Sequence, residues 1–370
     1  MLSRVNLEIN SAKIAENFLN IRKYVAPAKV MAVLKANAYG IGVKKIADLL
    51  VNLGVDMIGV AEINEAIELS YLDVPIQILG NLLPHEIEDA VRINLVAPLN
   101  DYKHACLINQ EAEKQGKIIR GALTIDSGMG RLGMVAEEAY EDIKKIRELK
   151  NIRIVGIYSH FSSAFNKSDN YTHFQIERFK KLYERLIADG MTFDYVHIGA
   201  SDAINNFPEI SCEPFTMVRS GINLYGYADD NIPDTAMALK GCVELKTYLS
   251  SIRRLKGGSA LGYGRMHKLA KESLVGTISA GYADGLPLAL SNRGYVLIKG
   301  VLCPILGRIS MDYTTVLLDN VPDAEIGDEV VCIGKQGEYE ITVDDWAKLK
   351  GTHAYEVLCS VGTRVNRKFI

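Results

Sequence analysis

The 370-residue chain is short of the features that mark a specialised class of protein. It has no long uncharged apolar run of the kind a spanning helix needs. Its opening, Met-Leu-Ser-Arg-Val-Asn-Leu-Glu-Ile-Asn, lacks the basic-then-apolar order of a secretory signal, so the cytoplasm is the default location. Cysteine is sparse and scattered: Cys106, Cys212, Cys242, Cys303, Cys332 and Cys359 form no Cys-x-x-Cys pair and have no histidine near them at ligand spacing. That argues against a disulfide framework or a metal site and for reduced core thiols. Charge of one sign is missing too, since the formal net charge is −3, which offers no footprint for nucleic acid or an anionic membrane. Low-complexity stretches and internal repeats are absent. No Gly-x-Gly-x-x-Gly follows the first strand, so the dinucleotide-binding fingerprint is missing as well.

What is present is ordinary core-forming material, 48% hydrophobic and 24% charged, in a chain long enough for two domains. Asn10 or Ser11 can cap a first helix with Ile14, Phe18, Ile21 and Val25 on its apolar face, stopped by Pro27. A strand-then-helix beat follows. Strand runs end near Leu34, Ala61, Gly80, Leu99, Asp126, His160, Ala200 and Arg219, with helical patterns at 43–53, 62–70, 84–93, 101–115, 135–149 and 170–189 between them. Eight short strands separated by helices predict a (β/α)8 TIM-type barrel over residues 1–232, with a doubly wound sheet as the alternative. Around 229–233 the beat changes. Strand-like runs at 243–253, 273–281, 295–300, 314–318 and 328–334, with helices only at 342–350 and 353–361, predict a mainly β domain over 233–370.

The stretch Val30-Met-Ala-Val-Leu-Lys35-Ala-Asn-Ala-Tyr39-Gly40 carries the first chemistry. A buried parallel strand reads as such an apolar run, and functional side chains collect past its carboxyl end. A lysine there is desolvated on one side, which lowers its pKa and makes the amine a nucleophile for aldehydes. If the next residues turn helically, Tyr39 lies one turn on, on the face of the lysine. A lysine that simply ends a strand is the plain alternative. The other candidates share the same end of the barrel: Arg131 after the fifth strand, His160 ending the sixth, Ser201 after the seventh, and Arg219, Gly221 and Ile222 at the eighth. Each alone has a dull explanation as a core histidine, a surface charge or a turn former. Their common position is the signal, because barrels often bind phosphate with the loops after strands seven and eight, and small residues there let backbone N–H groups approach an anion.

Seven motifs then occur in order: Ala32-Val-Leu-Lys35-Ala-Asn-Ala-Tyr39-Gly, Asp126-Ser-Gly-Met-Gly-Arg131-Leu-Gly, Val218-Arg219-Ser-Gly221-Ile222-Asn-Leu-Tyr-Gly, Gly262-Tyr263-Gly-Arg265, Gly281-Tyr282-Ala-Asp284-Gly, Gly307-Arg308-Ile-Ser-Met311-Asp312 and Tyr355-Glu-Val. With them the chain resembles, nearly end to end, the bacterial alanine racemases, fold-type III pyridoxal-phosphate enzymes with a barrel and a C-terminal β domain. The resemblance implies interconversion of L- and D-alanine, supplying D-alanine for peptidoglycan, in a homodimer whose active sites are shared between subunits. It implies that Lys35 holds pyridoxal 5'-phosphate and is the base on the D side, with Tyr263 the opposing base on the L side. Tyr39, Ser201, Gly221, Ile222 and Tyr355 match phosphate contacts. Arg131 and Met311 match the groups that hold the substrate carboxylate, and Arg219 matches the residue facing the pyridine nitrogen. His160 matches the link between Arg219 and the tyrosine.

These residue types suit racemisation, which needs a base on each side of Cα. A tyrosine, with a pKa near 10, needs cationic or hydrogen-bonding neighbours to act as one, and an arginine opposite a ring nitrogen donates a proton poorly, which disfavours transamination. Three departures bear on substrate preference. Thr124 stands where the family often has a carbamylated lysine that orients Arg131, Ala200 precedes Ser201 where an asparagine is usual, and Phe165 replaces an acidic residue of the entry corridor. The competing readings are a racemase of another small amino acid such as serine, an amino-acid decarboxylase on the same architecture, and a non-catalytic protein that holds the cofactor. The decarboxylase relatives carry a phosphate-binding glycine cluster and a C-terminal cysteine-containing signature that this chain lacks, and Tyr263 with the β domain speaks against a cofactor-holding protein.

Overall fold

A computed structural model describes residues 3–228 and 237–370. The expected joint at 229–233, and with it the boundary between 232 and 233, lies outside the described residues. The chain divides into two compact units, one of Ile14–Ala38 and Gly42–Lys240, the other of Met1–Lys13, Tyr39–Ile41 and Gly241–Ile370.

The first unit is a parallel barrel. Its strands, in chain order, are Lys29–Val33, Met57–Val60, Ile76–Ile78, Val96–Leu99, Ile119–Asp126, Ile152–Tyr158, Tyr195–His197 and Met217–Ser220, each hydrogen-bonded to the next, with the eighth beside the first. The ring closes where Thr216 N–H donates to Val196 O at 2.9 Å and Arg219 N–H to Gly199 O at 3.0 Å. Strands 57–60, 76–78, 96–99 and 217–220 are buried at every position, the consequence of helices outside and side chains inside. Met31, Met57, Val96, Ala122, Val155, Tyr158 and Met217 fill part of that interior, so it is a packed core and not a channel. The first helix, Ser11–Val25, buries Ile14, Phe18, Ile21 and Val25 as its spacing predicts, and the Asn10 carboxamide caps it by accepting Lys13 N–H at 2.9 Å.

Several strands are shorter than their apolar runs. The seventh ends at His197, not Ala200, because the residues beyond it leave the ladder to enter the loops. The helix predicted over 135–149 contracts to Ala139–Arg147, since Met134–Val135 pairs with Ile125–Asp126 instead.

The second unit is mainly antiparallel. Val243–Leu255, Ser273–Ile278, Thr314–Leu317, Val301–Leu306, Tyr295–Ile298 and Glu329–Gln336 pair in that order, and the last returns to the first. The N-terminal strand Asn6–Ile9 adds to Val243–Leu255 and pairs in parallel with Asn366–Phe369. It alternates half-buried Asn6 and Glu8 with buried Leu7 and Ile9, a period-2 pattern. In Val301–Leu306, Pro304 sits where a central strand disfavours proline. The structure accommodates it because only Ile305 and Leu306 pair with Thr314–Leu317. None of the six cysteines forms a disulfide; Cys242, Cys303 and Cys332 are buried, whereas Cys212 and Cys359 are exposed and are not the core thiols their scatter suggested. Among the described residues, no helix is long and apolar enough to cross a membrane.

Candidate active site

The first barrel strand delivers Lys35 into an unusual turn. Ala36, Asn37, Ala38 and Tyr39 have φ of 53, 54, 54 and 57°, and Gly40 follows at 80°. The chain does turn helically after the lysine, but in the left-handed sense. For residues with a Cβ that conformation costs about 1–2 kcal/mol each, so neighbouring groups must impose it. Ala38 N–H donates to Leu34 O at 2.9 Å and Gly42 N–H to Asn37 O at 3.0 Å. The Asn37 carboxamide accepts Val43 N–H at 2.8 Å. Lys35 itself is exposed.

Arg219, from the eighth strand, is buried at 3% exposure. Its Nη1 donates to His197 Nδ1 at 2.7 Å, and its Nη2 reaches Ser159 O at 2.8 Å, Ile198 O at 2.9 Å and His160 Nδ1 at 3.0 Å. Arginine has no acceptor, so both histidines must accept through Nδ1 and carry their proton on Nε2. Burial, reinforced by the Arg219 charge, holds the His197 pKa well below its usual range. Loss of water followed by the charges of Arg219, Arg131 and Lys35 brings His160 down to about 3. Both rings are therefore neutral at neutral pH, and His160 offers its Nε2–H as a donor. Burial also pulls Arg219 down, to about 10, which still leaves it charged at neutral pH. Tyr158 stacks on His197 with centroids 5.1 Å apart and an interplanar angle of 15°.

The loops after strands seven and eight form a cup. Ser201 begins the short helix Ser201–Asn206, and its hydroxyl accepts Gly221 N–H at 3.0 Å, which leaves its own O–H free to donate. Ile222 opens a 3₁₀ turn and is fully buried. Among the described residues, its N–H meets no acceptor. A buried orphan donor at such a place costs stability unless something accepts from it.

Arg131 lies on a loop wound around a carboxylate: Asp126 accepts Gly128 N–H at 2.8 Å and Gly130 N–H at 3.0 and 3.1 Å. The arginine side chain is exposed and, among the described residues, makes no hydrogen bond or ion pair. Thr124 does not orient it. Its buried hydroxyl donates instead to the Tyr158 hydroxyl at 3.0 Å.

In the β unit the expected residues stand on turns. Tyr263 occupies a turn with φ of 68° at Gly262 and 70° at Gly264, and is 72% exposed. A Cβ on Gly262 would come within 3.2 Å of Arg308 N, so this turn packs against the segment leading to Met311, itself 52% exposed. Met311 O accepts Ala283 N–H at 3.1 Å. Arg364 clamps the same place, with Nε and Nη2 on Asp284 at 2.7 and 2.9 Å and Nη1 on Asp312 at 2.7 Å. Among the described residues, Met311 N–H has no partner. Tyr39 and Tyr355 also meet in this unit, with ring centroids 5.8 Å apart.

Sequence reasoning therefore gathered Lys35, Arg131, His160, Ser201, Arg219, Gly221 and Ile222 at one end of the barrel, where the structure has them. It missed His197, the partner that fixes Arg219, and the Arg364 clamp. Neither stood out, because His197 reads as one more apolar-strand residue and Arg364 lies 52 residues from Asp312.

Comparison with known proteins agrees along the whole chain. Residues 9–229 match the family described as alanine racemase, N-terminal domain, and residues 242–369 match alanine racemase, C-terminal domain. An alanine racemase of Clostridium novyi (strain NT) is 35% identical over 368 residues, covering 98% of this chain and 94% of that one. One from Thermodesulfovibrio yellowstonii is 38% identical, covering 98% and 97%. Among solved structures, alanine racemase of Clostridium difficile 630 aligns with a TM-score of 0.94 at 32% identity, over 100% of this chain and 96% of that one. Alanine racemase from Bartonella henselae with covalently bound pyridoxal phosphate aligns with a TM-score of 0.89 at 29% identity, over the full length of both.

Proposed function

Because the chain belongs to the alanine racemase family, we propose that it interconverts L- and D-alanine with pyridoxal phosphate bound through Lys35, in a homodimer. The observation that carries this is Arg219, a buried cation fixed by two neutral histidines and two carbonyls at the mouth of the barrel. A cation so held cannot give its proton to a ring nitrogen placed against it, and this suits reversible proton transfer at Cα better than transamination.

The donor set fits the cofactor. The unclaimed N–H of buried Ile222 and the free hydroxyl hydrogen of Ser201 suit a phosphate, with Gly221 shaping the cup. When bound, pyridoxal phosphate supplies an electron sink that acidifies the Cα–H of an amino acid. The remaining work belongs to the protein. Lys35 Nζ takes and returns the proton on the D side. Tyr263 of a second copy acts on the L side. Arg131 and the unpartnered N–H of Met311 of the partner subunit hold the carboxylate. The exposure of Tyr263 and Met311, together with exposed Met266, Tyr282 and Tyr313, favours a second copy covering this face.

Purified protein supplied with pyridoxal phosphate should form D-alanine from L-alanine, followed with a D-amino-acid oxidase, with a higher kcat/KM than for L-serine. Preference for serine would reassign the substrate, and absence of racemisation of any small amino acid would overturn the reading.

A further inference from the structure

Glu65 lies thirty residues beyond Lys35, on the helix Ile63–Leu69 that follows the second barrel strand. Its Oε2 accepts Ala61 N–H at 2.8 Å. That contact is an ordinary one for an acidic residue in a first helical turn, which reaches back to cover an orphan N–H. The other oxygen has no such explanation. Oε1 accepts the N–H of Ala36 at 2.5 Å, and Ala36 is the residue immediately after Lys35. One carboxylate thus ties the loop leaving the first barrel strand to the loop leaving the second.

Ala36 also opens the left-handed run. Alanine prefers the right-handed conformation, so the turn needs an anchor at its start as well as those on Asn37 and Ala38. A hydrogen bond to a charged acceptor is stronger than a neutral one, and Glu65 places such a bond on the first left-handed residue. We propose that Glu65 is a positioning residue for Lys35: by holding Ala36 in the left-handed turn, it fixes the direction in which the lysine stem leaves the strand. The inference rests on the reading of Lys35 as the cofactor-bearing lysine.

The test uses Glu65→Ala, Glu65→Gln and the double variant Glu65→Ala with Ala36→Gly. Each apoprotein is mixed with pyridoxal phosphate, reduced with borohydride, and the labelled fraction at Lys35 is measured by peptide mass spectrometry. Affinity is taken from equilibrium dialysis and folding from circular dichroism and thermal unfolding. Glu65→Ala should weaken apparent affinity by about tenfold and slow the formation of the reducible linkage by a similar factor. Glu65→Gln, which keeps one acceptor oxygen but turns an N–H2 toward the other N–H, should fall between. Ala36→Gly removes the Cβ that opposes the left-handed conformation and should recover about threefold or more of the loss. A purely structural or electrostatic role for Glu65 would not respond to that glycine. Wild-type affinity and rate in a folded Glu65→Gln protein would overturn the proposal, as would a Glu65→Ala defect that Ala36→Gly leaves untouched. Labelling of wild-type protein anywhere but Lys35 would instead sink the cofactor reading, and this proposal with it. With wild-type labelling intact, the Glu65 variants judge Glu65 alone.

Discussion

The two units hold their functional residues in opposite ways. At the barrel mouth, Arg219, His160 and His197 lock one another through side-chain hydrogen bonds in a buried cluster, and the backbone serves only to deliver them. In the β unit, Tyr263 and Met311 project from exposed turns whose backbones are fixed by tight glycine contacts and by a salt-bridged clamp behind them. In the buried cluster Arg219 is answered by groups of the same chain, since a buried charge must be paired locally. Exposed aromatic and methionine side chains on rigid turns are incomplete and call for a surface to cover them. The contrast separates residues held in a buried charged cluster from residues left exposed on rigid turns.

The largest effect should come from breaking both halves. Lys35→Ala should remove the covalent cofactor linkage and racemisation in both directions, and Tyr263→Phe should lower racemisation by about 10²–10⁴-fold, the usual worth of a positioned base. If the halves belong to different chains, denaturing and refolding the two variants together should restore roughly a quarter of the sites. No recovery, despite demonstrated subunit exchange, would place Tyr263 over the lysine of its own chain. Next in size, Arg219→Glu replaces the cation at the buried centre with an acceptor. Racemisation should fall about a hundredfold or more and keto-acid product from transamination should rise relative to it; unchanged partitioning would mean that the arginine does not face the ring.

The clamp behind Met311 gives a smaller effect. Arg364→Ala leaves Asp284 buried without its cation and should cost about 1–2 kcal/mol in chemical unfolding, discounted because Arg364 is itself half exposed. It should raise KM for alanine more than it lowers kcat, and Arg364→Lys should recover part of both. The pH dependence of stability sharpens the barrel side. The His160 pKa falls from 6.5 to about 3 on folding, so between those values the unfolded chain binds a proton that the folded chain refuses. Stability should therefore fall as pH drops through that window, by up to about 1.4 kcal/mol per pH unit for each such histidine. His160→Asn, which keeps an acceptor for Arg219, should flatten the slope seen by urea unfolding at pH 7 and pH 5. Smallest of all, bicarbonate at fixed pH and ionic strength should leave the rate unchanged, since Thr124 forms no stable carbamate and its hydroxyl is engaged by Tyr158. A bicarbonate-dependent rate would show that a lysine elsewhere has taken that role.

Sequence alone determined the eight-strand beat, the change to antiparallel runs beyond it, and the set of polar residues at the strand ends, because apolar periodicity and strand-end position are local properties of the chain. The motif Lys35-Ala-Asn-Ala-Tyr39 announced a functional turn, yet nothing in it announced handedness. Alanines favour the right-handed helix, and the left-handed turn is bonded both to nearby acceptors on Leu34 and Asn37 and to the Glu65 carboxylate, 29 residues from Ala36. His197 read as one more strand residue until barrel closure set it against Arg219, and only then did the tautomers of both histidines become fixed. Asn6–Ile9 showed its alternation locally, but its place between Val243–Leu255 and Asn366–Phe369 depends on pairing across more than 200 residues. Propensity and pattern reach a few residues along the chain, whereas the partners of a buried charge are chosen by the fold that buries it.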